Sequence, residues 1–313
     1  MPTNNTPPAA SGTSFSDDTV LRPALLGTAD WNAEWIALQD ARRKNDGAAF
    51  WNKRSRDFDQ PDQMSPYVRS FLDMMQIDEG DSILDMGCGT GSIAVPLALG
   101  GHNVTAADFS ESMIEETKRR ANAAHTNLVR SVVMSWEDDW SAFGIEPKSV
   151  DVVLASRSLA VRDLQAALDK MTNTARIRCF ATMSCGESPR IDARVLAACG
   201  LDATHGRDYQ YAFTILTNKG LFPECRFIYS MRKDTFDTPE EAYADFERMI
   251  DDVAHLHTAN QIDQARLRLR TWLDDNLVEN EDEGRPSEKG YLEKHLRLAE
   301  PRVVPWAFLS WSV

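Results

Sequence analysis

From Asp81 to Ala98 the chain carries a pattern that few folds accept. An apolar strand start, Ile83 and Leu84, runs into an acid, Asp85. Gly87, Gly89 and Gly91 follow at alternate positions, and an apolar run able to open a helix comes behind them. Glycines at a strand-to-helix turn let the backbone take positive φ and let a ligand approach without meeting a Cβ. Open α/β sheets bind their ligands at this point, beyond the carboxyl end of the first strand. The third glycine stands two positions after the second, and position 92 is Ser. The dinucleotide fingerprint puts its third glycine three positions on, so the spacing disfavours a nicotinamide-dependent oxidoreductase.

The residues downstream alternate between strand and helix patterns. Strands are predicted over 82–86, 102–107, 128–134, 150–155 and 177–183. Helices are predicted over 92–99, 110–124 and 161–171 between them. The 150–155 run, Val-Asp-Val-Val-Leu-Ala, suits a parallel sheet buried on both faces. Such alternation implies a doubly wound parallel sheet with right-handed crossovers. A helix near 209–218 and a sixth strand over 226–232 follow. Upstream, Trp31, Trp35 and Leu38 fall at helical spacing, and a second amphipathic piece surrounds Phe50, Trp51 and Phe58. A third begins at Ser65 and Pro66 with an N-cap and a first-turn proline. Beyond residue 236, Thr238 to Glu241 reads as a capping box opening a helix, and a second helix spans 261–277. A short helix is expected near 291–298, and 303–313 reads as a final strand.

The acid followed by Gly87, Gly89 and Gly91, with Asp108 closing strand two, resembles the class I S-adenosylmethionine-dependent methyltransferases. The resemblance covers about residues 65–235 plus the terminal strand. It implies a doubly wound, mostly parallel seven-stranded sheet whose last two strands form an antiparallel edge hairpin. It also divides the chain into a polar leader (1–20), an N-terminal helical cap (21–77), an S-adenosylmethionine-binding α/β domain (78–235), a helical insertion (236–300) and the final strand (301–313). The N-terminal helices and the insertion are expected to form one lid beside the cofactor cleft.

The same resemblance assigns site residues. The loop of Asp85, Gly87, Cys88, Gly89 and Gly91 would take the aminoacyl part of the cofactor, with Asp85 near its amino group. Asp108 would hold the ribose diol, since a carboxylate accepts two hydrogen bonds. Phe109 and Met113 either flank the adenine or pack in the core. An acid usually reads the adenine amino group after strand three. Here Ser135 stands at that position, with Glu137 and Asp138 displaced beyond it, so the base reader stays open among them. Trp136 is either an apolar wall or core. Ser156, Arg157 and Ser158 follow strand four, where the methyl group and acceptor meet, and Arg157 is suited to a carboxylate of substrate or cofactor. Tyr67 is placed to close over the cofactor. His205 and Tyr209, after strand five, are the remaining candidates for chemistry, His205 as acid or base. No metal ligand set is expected.

Composition bounds the rest. A net charge of −14 and a pI near 4.9 oppose binding to a phosphate backbone, so no nucleic-acid partner is expected. No apolar run nears the roughly 20 residues of a membrane helix. The first 18 residues lack a basic n-region and an apolar core, unlike a secretory signal. Five cysteines without a Cys-x-x-Cys pair point to a reducing, cytoplasmic setting. The function expected is methyl transfer to a small-molecule acceptor, the alternative being a catalytically silent S-adenosylmethionine-binding regulator.

Overall fold

The computed structural model describes residues 30–42, 64–185, 190–202, 207–287 and 291–313. The expected helical piece around Phe50, Trp51 and Phe58 lies outside them. In chain order the elements are α1 (Trp31–Arg42), α2 (Pro66–Met74), β1 (Ile83–Met86), α3 (Ala94–Leu99), β2 (Val104–Asp108), α4 (Glu111–Ala123), β3 (Val129–Val133), β4 (Val150–Ser156), α5 (Leu164–Thr174) and β5 (Ala175–Ser184). Next come α6 (Ala193–Cys199), α7 (Asp208–Asn218), β6 (Glu224–Arg232), β7 (Thr235–Phe236), α8 (Pro239–Val253), α9 (Ala259–Asn276), β8 (Leu277–Glu279), β9 (Leu296–Leu298) and β10 (Arg302–Ser312).

Seven strands form one sheet in the order β3-β2-β1-β4-β5-β10-β6. β1 to β5 pair in parallel, while β10 runs antiparallel to both β5 and β6. The strand order reverses at β1, which pairs with β2 on one side and β4 on the other. Ligands of open α/β sheets bind beyond the carboxyl ends of the strands that flank such a switch point.

Strand alternation splits the apolar side chains between two faces. Ile83, Val152, Leu154, Phe180 and Phe308 join Tyr67, Val68 and Phe71 of α2 and Ile93, Ala94 and Leu97 beside α3. Leu84, Val153, Ala155, Cys179 and Leu309 face the other way, against Trp35 of α1, Leu164, Leu168 and Met171 of α5, and Ile215 and Leu216 of α7. The central strands are thus buried on both sides, as their unbroken apolar runs require. Local signals start the helices. Ser65, Ser110 and Asp163 each accept a hydrogen bond from a first-turn N–H, and Pro66 occupies the first helical turn.

α1 and α2 pack on opposite faces of the sheet, because Trp35 and Tyr67 belong to different apolar clusters. α1 is fixed by the Trp35 indole N–H, which donates to the Val161 carbonyl at 2.8 Å, and by Tyr211, whose hydroxyl donates to Glu34 at 2.7 Å. The segment between β6 and β10 instead builds its own core. Phe246, Met249 and Ile250 of α8 and Ala265, Leu269 and Leu273 of α9 close over Val195, Leu196 and Cys199 of α6. α6 precedes β6 in the chain, so this unit is assembled from two separated stretches.

A three-stranded sheet, β7-β9-β8, completes the unit. Its middle strand corrects the helix expected near 291–298. Leu296 and Leu298 flank Arg297, which forks onto Glu281, and this alternation suits pairing with β7 and β8. At α8, Thr238 caps the Glu241 N–H, but the Glu241 carboxylate turns back to the Asp237 N–H and to Lys294. The reciprocal capping box occurs at α9 instead, between Thr258 and Gln261.

Candidate active site

The loop after β1 is fixed by bonds at every turn. Gly87, Gly89 and Gly91 all have positive φ, at 76°, 55° and 78°. A Cβ at Gly87 would lie 2.2 Å from Ser158 Cβ, and one at Gly91 would lie 2.9 Å from Thr117 Cγ2. These two glycines are therefore demanded by protein packing as well as by backbone conformation. Gly89 is held at both ends, donating its N–H to Asp108 Oδ2 at 2.9 Å and accepting the Thr117 hydroxyl at 2.9 Å. Ser158 ties the end of β4 to the same loop by donating to the Met86 carbonyl at 2.7 Å.

Asp85 is 1% exposed, and neither carboxylate oxygen has a hydrogen-bond partner. Burial pushes its pKa up to about 8, and the Asp108 charge adds to the rise. An unpartnered buried acid costs free energy unless something cationic or hydrogen-bonding meets it. Asp108 is better satisfied. Besides Gly89 it accepts the Ser110 N–H at 2.9 Å, yet burial still holds its carboxyl above the usual range. Two of its roughly four lone-pair sites are thus used within the protein. Cys88 is buried, and desolvation with the Asp85 and Asp108 charges keeps its thiol protonated. It is not a nucleophile.

Around the adenine-side positions, Met113 is fully buried while Phe109 is partly exposed. Ser135, Trp136, Glu137 and Asp138 form a turn closed on itself. Asp138 accepts the Ser135 N–H at 2.8 Å, Ser135 Oγ accepts the Glu137 N–H at 3.2 Å, and Lys170 ties down the Trp136 and Asp138 carbonyls. Trp136 leans on Trp140 with ring centroids 5.6 Å apart, at the edge of the α5 core. Glu137 is exposed, its carboxylate free of any hydrogen bond or ion pair among the described residues.

On the acceptor side, the structure joins Tyr67, Ser156 and Arg157. The Tyr67 hydroxyl bonds Ser156 Oγ at 2.8 Å and Thr182 Oγ1 at 2.6 Å, and Arg157 lies over its ring at 4.1 Å from the centroid. Tyr209 does not join them. It packs edge-on to Phe227 at 5.9 Å, on the face of the sheet occupied by α5 and α7. His205 lies outside the described residues. Three residues of this neighbourhood were not singled out from sequence: Thr117, Thr182 and Trp306. Thr117 shares the buried helical stripe of Met113 and Ile114, a signal that it faces inward, but the other two carry no sequence mark of their own.

A seven-stranded sheet with one reversed strand and a glycine loop at the switch point is a doubly wound, Rossmann-like fold. Residues 83–176 match the family described as a methyltransferase domain. An uncharacterized protein of Haemophilus influenzae is 33% identical over 167 residues, which is 52% of this chain and 59% of its own. A ubiquinone biosynthesis O-methyltransferase of Rickettsia akari is 46% identical over 59 residues, 18% of this chain and 24% of that one. The match therefore spans less than two thirds of either relative. Among solved structures, a S-adenosylmethionine-dependent methyltransferase from Aquifex aeolicus superposes with a TM-score of 0.43 at 15% identity, covering 56% of this chain and 91% of that one. A geranyl diphosphate C-methyltransferase from Streptomyces coelicolor gives 0.43 at 13% identity, covering 78% and 74%. No helix among the described residues is long and apolar enough to cross a membrane.

Proposed function

We propose that this protein transfers the methyl group of S-adenosylmethionine to a small-molecule acceptor. The observation that carries the reading is Asp85. It is a buried, unpartnered acid beside a loop of three positive-φ glycines, and it calls for a cationic partner at the switch point. The cofactor's amino group meets that need. In this assignment Asp85 and the Gly87–Gly91 loop hold the aminoacyl part, and Asp108 accepts the ribose hydroxyls with its unused lone pairs. Phe109 and the Ser135–Glu137 turn border the adenine. Bound there, the cofactor would supply a methyl group already activated on a positive sulfur.

The protein's own contribution is alignment and exclusion of water. A neutral leaving group needs no oxyanion hole, and approach geometry supplies much of the effect. The buried Tyr67 and Thr182 hydroxyls and the half-buried Ser156 hydroxyl fix the wall on the acceptor side. A base matters only when the acceptor carries a proton at neutral pH. The small-molecule part of the reading is supported by the name of the Rickettsia relative, a biosynthetic enzyme of ubiquinone. Calorimetric titration with S-adenosylhomocysteine, using NAD as control, tests the proposal. Micromolar binding of the first alone is expected, and binding of NAD alone would overturn it.

A further inference from the structure

Arg157 has an unusual backbone and an unspent side chain. Its φ is 57°, a left-handed conformation that non-glycine residues seldom take and that costs free energy unless the surroundings hold it. β5 holds it here, because the Arg157 N–H donates to both the carbonyl and the Oγ1 of Thr182, at 3.2 and 3.1 Å. The guanidinium is 4.1 Å from the Tyr67 ring centroid and 5.5 Å from that of Trp306. It makes no hydrogen bond or ion pair among the described residues, although acids outnumber bases in this chain by 48 to 34. Stacking uses the π face of a guanidinium and leaves its in-plane N–H donors free, a fork that matches an oxyanion.

The position is specific as well. Ser156, one residue before, bonds Tyr67, and Ser158, one residue after, bonds the exit of β1 beside the glycine loop. The fork therefore stands at the carboxyl end of β4, within one residue of the loop that the proposed methyl donor would occupy.

We infer that Arg157, seated on the Tyr67–Trp306 shelf, is a specificity residue that selects an acceptor bearing an oxyanion, a carboxylate or a phosphate. The inference rests on the methyl-transfer reading for the word acceptor but not for the anion site itself. In a molecule with a net charge of −14, a cation unpaired among the described residues is what admits an anionic ligand.

Benzoate, phenyl phosphate and neutral benzamide are titrated into the full chain by calorimetry, with and without S-adenosylhomocysteine, in wild type, Arg157→Gln and Arg157→Gly. The glycine variant accepts the left-handed backbone, so loss of the side chain is separated from misfolding. At least one anion should bind ten-fold or more tighter than benzamide, benzoate or phenyl phosphate according to the group recognised. Both variants should erase that preference while S-adenosylhomocysteine affinity stays within about two-fold. The idea falls if wild type shows no preference for either anion, or if the preference survives in Arg157→Gly. It falls too if the variants lose ten-fold in S-adenosylhomocysteine affinity instead, which would give the fork to the cofactor's carboxylate. Anion binding without any S-adenosylhomocysteine binding would overturn the methyl-transfer reading and leave the anion site standing.

Discussion

Asp85→Asn separates the two consequences of an orphaned acid. With its folded pKa near 8 against an ordinary 3.8, the native protein holds the Asp85 proton more tightly than the unfolded chain does. The sign follows from linkage. The contribution is fully present below about pH 4 and is lost as pH rises toward 8, at up to about 1.4 kcal/mol per pH unit. Asparagine does not titrate, so urea unfolding of wild type and variant at pH 5, 6, 7 and 8 should show the variant gaining relative stability at each step. Ligand binding reads the same group from the other side. At pH 7 roughly nine-tenths of a group with this pKa is protonated. A cationic amino group arriving beside it favours the carboxylate. Binding of S-adenosylhomocysteine should then release close to one proton, seen as a dependence of the calorimetric enthalpy on the ionisation enthalpy of the buffer. The variant should release none and bind ten-fold or more weakly. A wild-type enthalpy independent of buffer, together with a wild-type-minus-variant stability that does not move with pH, would refute the assignment of Asp85.

Asp108→Asn should weaken S-adenosylhomocysteine binding by about 1–3 kcal/mol, the scale of a hydrogen bond to a charged group, as calorimetry would show. Gly87→Ala sets a Cβ on Ser158 at a φ of 76° and should cost about 2–4 kcal/mol in urea unfolding. A loss under about 0.5 kcal/mol would mean that the loop is free to shift. Tyr67→Phe removes two hydrogen bonds but keeps the ring under Arg157, and should cost about 1–3 kcal/mol by the same measurement. Phe246→Ala empties the centre of the α6–α8–α9 core and should cost about 3–5 kcal/mol. Hydrogen exchange should show the lost protection in that unit before the sheet.

The sequence by itself determined the sheet domain, because its signals are local. Runs such as Val150–Ala155 state burial on both faces. Ser65, Ser110 and Thr238 name helix starts, and Gly87, Gly89 and Gly91 name a backbone that only glycine takes easily. It misread residues 291–298, where a strand forms only because β7 and β8 stand ready to pair with it. Which side chains meet was decided by tertiary structure alone. Tyr67 reaches Ser156 across 89 positions and Thr182 across 115, and Trp306 reaches Arg157 from the last strand. The strand order also put α1 and α2 on opposite faces and left Tyr209 apart from Arg157. The physical reason is one of range. Periodicity and dihedral preference are written within a few residues, whereas contact, desolvation and the pKa of Asp85 depend on which distant segments the sheet brings to the same end.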